Sequence, residues 1–209
     1  MSKQSEAGFK LIELLIVLGM VSVLTVMSLP YIVNHKKLYK SEDQALKIMD
    51  LMREASQTAL TRRKTIRLEI DLTANTVLLI DEGRSPDAEF KSVPLEPTRE
   101  LRVDMIPTGM TKPSPNYTDI TFGADTVGHY LGSTSVTGHN VWAARFKSDG
   151  TVVNAADVPI SANIYIWPPA SPGAATPRNT LEVRAITLVG GSGAVRYWRY
   201  NGTQFAPFL

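Results

Sequence analysis

From Leu14 to Asn34 the chain carries no charged side chain. As an α-helix rising about 1.5 Å per residue, such a run is roughly 30 Å long, the thickness of a bilayer's hydrocarbon core. A surface that apolar belongs in lipid or against other apolar helices. One carboxylate, Glu13, stands at its start. An ionisable group there is costly in lipid unless it lies at the interface or has a partner, which makes Glu13 a candidate functional residue. Pro30, within the run, frees a backbone carbonyl and invites a kink.

Beyond the run the helical period continues from His35 to about Arg62. Lys36, Lys40, Asp43, Lys47, Asp50, Glu54, Gln57 and Thr61 form one face, spaced three and four apart. Leu38, Ala45, Met49, Met52, Ser56 and Ala59 form the other, a packing stripe. The period then changes to two. Ile66, Leu68 and Ile70 alternate with Arg67 and Glu69, which predicts a half-buried strand. Leu72 to Asn75 predicts a turn, and Thr76 to Asp81 the returning strand. Glu82 to Pro97 reads as a polar loop. Leu101, Val103 and Met105 alternate again, Gly109 to Asp119 reads as a loop, and Ile120 to Phe122 as a short strand. The Gly-, Ser- and Thr-rich stretch from Gly123 to His139 reads as an irregular insertion. Strands are expected over Val141–Phe146, Thr151–Val153, Asn163–Trp167, Leu181–Val189 and Val195–Tyr200. Pro168 to Asn179 reads as a loop, and Gly190-Gly-Ser-Gly193 as a hairpin turn.

These elements fit a membrane segment and one globular domain in 209 residues. The fold class is α+β, a long N-terminal helix packed on antiparallel sheet. With no cysteine, disulfides and thiolate metal sites are excluded. A net charge of +2 gives no global argument for nucleic acid.

Gly8-Phe-Lys-Leu-Ile-Glu13, set before the apolar run, resembles the N-terminal segment of type IV prepilins and type II secretion pseudopilins. The resemblance implies a leader over 1–8, removed by a prepilin peptidase between Gly8 and Phe9. It implies N-methylation of Phe9 and an inter-subunit contact through Glu13. Pro30 falls where many pilins carry a proline, whereas Lys10 stands where a small hydroxyl residue is more usual. The implied divisions are a membrane helix over 9–33, its amphipathic continuation over 34–63 and an exported β-rich domain over 64–209. An ordinary secretory signal has a shorter apolar region with its cleavage site after it. Lys3 and Lys10 precede the run, while Lys36, Lys37 and Lys40 follow it, so charge counting favours the opposite orientation. The resemblance instead requires a cytoplasmic N-terminus and an exported domain anchored in the inner membrane.

A second resemblance lies further on. Helix, then Thr65-Ile-Arg-Leu-Glu-Ile-Asp71, Ala144-Arg-Phe-Lys-Ser-Asp-Gly-Thr151, Ala185-Ile-Thr-Leu188 and Gly193-Ala-Val-Arg196 is similar to the GspH/FimT family. Its members are minor pseudopilins of type II secretion and minor pilins of type IV pili, with a helix packed on antiparallel sheets. The implied partners are the peptidase, other pilins or pseudopilins in a filament, and the inner membrane.

Little in the sequence suggests catalysis, a cofactor or a metal. His129 and His139 read as surface-loop residues, and His35 lies beside the membrane run. The Gly190 stretch lies between strands, unlike a nucleophile elbow, which joins a strand to a helix. Binding is the competing class. Arg62, Arg63, Lys64 and Arg67 cluster at the helix end, and Arg196 and Arg199 sit among Tyr197, Trp198 and Tyr200. Basic groups beside aromatics hold single-stranded nucleic acid by charge and stacking. Some FimT-like minor pilins bind DNA during natural transformation. In the competing reading, Arg62 and Arg63 meet the helix C-terminus and the aromatics cover the sheet.

Overall fold

A computed structural model describes residues 11–84, 86–124, 128–131 and 134–208, with only the backbone described at 29–38 and 130–131. One helix, α1, runs from Leu11 to Arg62, and its helical assignment is unbroken at Pro30. Two compact units divide the chain, 1–39 and 40–209. In the first, every residue from Leu11 to Ser28 is exposed, and this helix is long and apolar enough to cross a membrane.

The second unit is α+β. It contains the rest of α1 and two sheets. The first sheet has the order β10-β9-β1-β2-β3-β7-β8, with β6 also on β9. Its strands are β1 (Ile66–Asp71), β2 (Thr76–Asp81), β3 (Ala88–Pro94), β6 (Gly123–Ala124), β7 (His129–Leu131), β8 (Thr134–Val136), β9 (Asn140–Phe146) and β10 (Val152–Val153). The second sheet has the order β14-β13-β12-β11-β4, with β5 parallel to β11. It comprises β4 (Arg102–Asp104), β5 (Thr118–Asp119), β11 (Ala162–Trp167), β12 (Arg184–Val189), β13 (Ala194–Tyr200) and β14 (Phe205–Pro207).

One core joins the helix to both sheets. Ala45, Ile48, Met49, Met52, Ala55 and Ala59 of α1 pack in it with Ile66, Leu68 and Ile70 of β1, Ile164 and Ile166 of β11, and Ile186 and Leu188 of β12. The stripe at Ala45, Met49, Met52 and Ala59 is buried as its period requires, and Ser56 is half-buried. Ile48, Leu51 and Ala55 widen it, and Ser41 and Gln44 are buried with it. A helix touched by two sheets buries a broader arc than a single seam needs. Leu38 lies outside the described side chains.

Several elements differ from expectation. The β1 strand is buried on both faces, so Arg67, Glu69 and Asp71 are interior residues. The expected loop over Glu82–Pro97 contains β3, paired with β2 through a bulge between Leu79 and Ile80. The Gly123–His139 insertion contributes β6, β7 and β8 to the first sheet. Ile120–Phe122 is not a strand; the chain passes there from β5 to β6. Met105 is exposed beyond β4, and β14 adds an edge that the sequence reading lacked. Leu181 sits in a 3-10 turn, Thr180–Glu182, whose N-cap Asn179 accepts from Leu181 N–H.

The β12–β13 turn is tight at Gly190, where a Cβ would lie 2.2 Å from the Ile160 carbonyl oxygen. Gly193 follows at φ +65°, a left-handed conformation that glycine adopts without strain.

Candidate functional site

Gly8 and Phe9, the residues at the expected cut, lie outside the described residues. Glu13 stands exposed in the first turn of α1, where a negative charge is favoured by the helix dipole. The hydroxyls that follow are satisfied within the helix. Ser22 Oγ donates to Leu18 O at 2.8 Å, Thr25 Oγ1 to Val21 O at 2.8 Å, and Ser28 Oγ to Thr25 O at 2.9 Å. Side chains that close their own hydrogen bonds suit a medium offering no partners. The segment is therefore apolar at its surface despite its polar residues.

The basic set does not form one open patch. Arg62 and Arg63 are exposed at the end of α1, with the Arg62 guanidinium 5.4 Å from the Phe90 ring centroid. Lys64 lies 3.7 Å from Asp81. Arg67 is buried, 3.6 Å from Glu69 and 3.4 Å from Glu82, and donates to Gly128 O at 3.2 Å. On β13, Arg196 is exposed, while Arg199 pairs with Glu42 at 2.9 Å and lies over Phe208. The aromatics expected beside them belong largely to the interior. Tyr197 and Trp198 are buried, and Trp198 Nε1–H donates to Thr187 Oγ1 at 2.8 Å. Tyr200 is half-buried, edge-on to Phe205.

Arg67 belongs to a polar layer on the outer face of the first sheet. Glu82 accepts from Arg145 Nε at 2.8 Å, and Glu69 faces His129 at 3.5 Å. Asp71 Oδ2 meets His139 Nδ1 at 2.5 Å, while Asp71 Oδ1 accepts from the N–H groups of Thr73 and Ala74 and fixes the β1–β2 turn. His129 is thus buried, contrary to the surface-loop expectation, and His139 is partly covered. The 123–139 stretch supplies both histidines and the Gly128 carbonyl. Alternation in β1 could have flagged Arg67 and Glu69, but nothing local shows that another segment covers them.

A second charged group ties the helix to the rest of its unit. Lys40 bridges Glu96 and Glu100 at 2.9 and 2.8 Å, and these bonds raise its pKa. Glu42 meets Arg184 at 3.4 Å as well as Arg199. Gln44 Oε1 accepts from Glu96 N–H at 3.0 Å. Burial pushes the nearby Tyr197 phenol up to about 12, against the opposing pull of Arg184.

Among the described residues no group of three His, Cys, Asp or Glu side chains is arranged to hold a metal. The Gly190–Gly193 turn joins two antiparallel strands. Comparison with family models, with curated proteins and with solved structures finds no match to this chain.

Proposed function

We propose that this chain is a minor pilin or pseudopilin, a non-enzymatic structural subunit of a type IV pilus or a type II secretion pseudopilus. The carrying observation is one helix with two characters. Its first part is exposed, apolar and satisfied in its own hydrogen bonds, with a single carboxylate at Glu13. Its second part is the buried spine of an α+β unit. In this reading the peptidase cleaves after Gly8, Phe9 becomes the methylated N-terminus, and the domain is held outside the inner membrane. Glu13 neutralises the Phe9 amine of an adjacent subunit, because an unpaired carboxylate among packed apolar helices costs several kcal/mol. Correct axial register then has an electrostatic advantage over slipped ones.

Mass spectrometry of the mature N-terminal peptide tests processing. Methylated Phe9 is the expected terminus, and any other terminus removes the assignment. Glu13→Val should leave cleavage and membrane insertion intact but weaken crosslinking to partner subunits. Wild-type crosslinking and assembly at low expression would make the carboxylate dispensable. The nucleic-acid alternative draws less support, since Arg67 is buried and Arg199 is committed to Glu42. A gel shift across salt concentrations decides it, because phosphate contacts weaken steeply with salt.

A further inference from the structure

Strand β9 has an incomplete outer edge. One side pairs with β1 along its length, from Ile66↔Phe146 to Asp71↔Val141. The other side is shared by two short strands. At one end β10 pairs Val153 with Arg145, and at the other β6 pairs Gly123 with Val141. Between them, among the described residues, Ala143 faces no strand.

The direction of its backbone groups follows from parity. In an antiparallel strand a residue's N–H and C=O point to the same side, and the sides alternate. Lys147 N–H bonds Thr151 O on the β10 side, and Asn140 O accepts from Leu72 N–H on the β1 side. Odd-numbered residues of β9 therefore face outward, and Ala143 presents a donor and an acceptor to the gap. Both neighbouring chains turn away there. Asn154 begins a turn in which its side chain accepts from the N–H groups of Ala156 and Val158, while 120–122 leads to β5.

A cleft of about 510 Å³ opens at this gap. Ala143, Arg145 and Arg67 line one side, and Thr121, Ala155 and Ser161 are among the residues lining the rest. Among the described residues, three charged side chains line it: the two guanidiniums and Asp119, which faces Lys112 at 3.0 Å. Arg145 reaches Glu82 through Nε, and a guanidinium has further N–H groups to offer. The gap from Val141 to Arg145 is four residues, roughly 14 Å at 3.4 Å each. Both ends are occupied, so no long strand can lie through it.

We infer that this cleft receives the free carboxy-terminal end of an extended peptide from a partner protein. The terminal residue pairs with Ala143, its N–H donating to the Ala143 carbonyl and one carboxylate oxygen accepting from the Ala143 N–H, while the other carboxylate oxygen meets Arg145. Short strand addition supplies affinity, and carboxylate recognition selects chain ends over loops. This site is independent of the filament reading.

The probe is fluorescein-labelled Gly-Gly-Thr-Val-Thr-Val with a free carboxylate, titrated by anisotropy against the full chain in detergent micelles. Its β-branched residues favour the extended backbone. The controls are the same peptide as its C-terminal amide and as the analogue N-methylated at the last peptide bond. Both controls should bind at least tenfold more weakly. Gly123→Phe is the protein control. Gly123 lies opposite Val141, on the face shared by Ala143 and Arg145, and a Cβ there meets open space within 4 Å. The ring should close the cleft and weaken the free acid at least tenfold without shifting the melting temperature. Absence of binding by the free acid at millimolar concentration overturns the proposal. Equal binding by the amide, by the methylated peptide, or by the Gly123→Phe protein overturns it as well.

Discussion

The two sheets share the core beneath the helix but differ in what covers their outer faces. The outer side of β1 is charged, with Arg67, Glu69 and Asp71 buried among Glu82, Arg145 and the two histidines of the 123–139 stretch. The outer side of the second sheet is aromatic, with Tyr165, Trp167, Trp198 and Phe205 buried around Val183 and Ala185. Both β1 and β11 are buried at every position. Burial on two faces thus has two solutions here. An aromatic face is stabilised by area and tolerates imperfect geometry, whereas a charged face holds only while each charge keeps its partner.

Substitutions can break or sharpen that contrast, read as urea or thermal unfolding of the full chain in mild detergent. The largest loss is expected from Trp167→Ala, about 4 kcal/mol, because a large ring leaves a cavity on the aromatic face. Arg67→Met comes next at about 3 kcal/mol, since it removes an ion-pair partner from buried Glu69 and from half-buried Glu82. Adding Glu69→Leu should restore most of that loss, because Glu82 still has Arg145. If the double variant is no more stable than Arg67→Met, the charged face does not depend on pairing.

The third test is pH. The Tyr197 phenol titrates near 10 when unfolded and near 12 when folded. The folded state thus favours the neutral phenol. That contribution is complete below pH 10 and is lost as pH rises from 10 towards 12, by about 2 kcal/mol. Wild type should lose stability more steeply than Tyr197→Phe across this window, and parallel curves would contradict the assignment. Smallest is Thr187→Val, about 1.5 kcal/mol, which leaves Trp198 Nε1 and Asn163 Oδ1 without the Thr187 hydroxyl that joins them. A neutral result would mean that packing alone holds the aromatic face.

The charged face also marks where sequence reading failed. Ile-Arg-Leu-Glu-Ile-Asp alternates like a strand with one wet side. Alternation reports which residues share a face, not whether a remote segment covers it. The cover comes from a Gly-, Ser- and Thr-rich stretch with little strand signal, so β7 and β8 were hidden too. Ala88–Pro94 read as loop because it lies in the polar Glu82–Pro97 stretch and ends in proline, yet Phe90 and Val93 pack against the core. Long apolar alternations bounded by turns were legible: β2, β9, β11 and β13 lie within a residue of expectation. The apolar run was legible for the opposite reason, because its length and composition alone mark Leu11–Ser28 as able to cross a membrane. The β9 gap had no local signature, because it exists only where two neighbours turn aside.

The Lys40–Gln44 contacts have a mechanical consequence. Lys40 and Gln44 engage the segment after β3, while Glu42 engages β12 and β13. Tension drawn along α1 is therefore divided between two anchorages far apart in the chain. Shearing the helix free requires several ion pairs and hydrogen bonds to fail together, whereas peeling the sheets requires only one to fail at a time. A domain fastened in this way resists traction on its helix better than its overall stability would suggest.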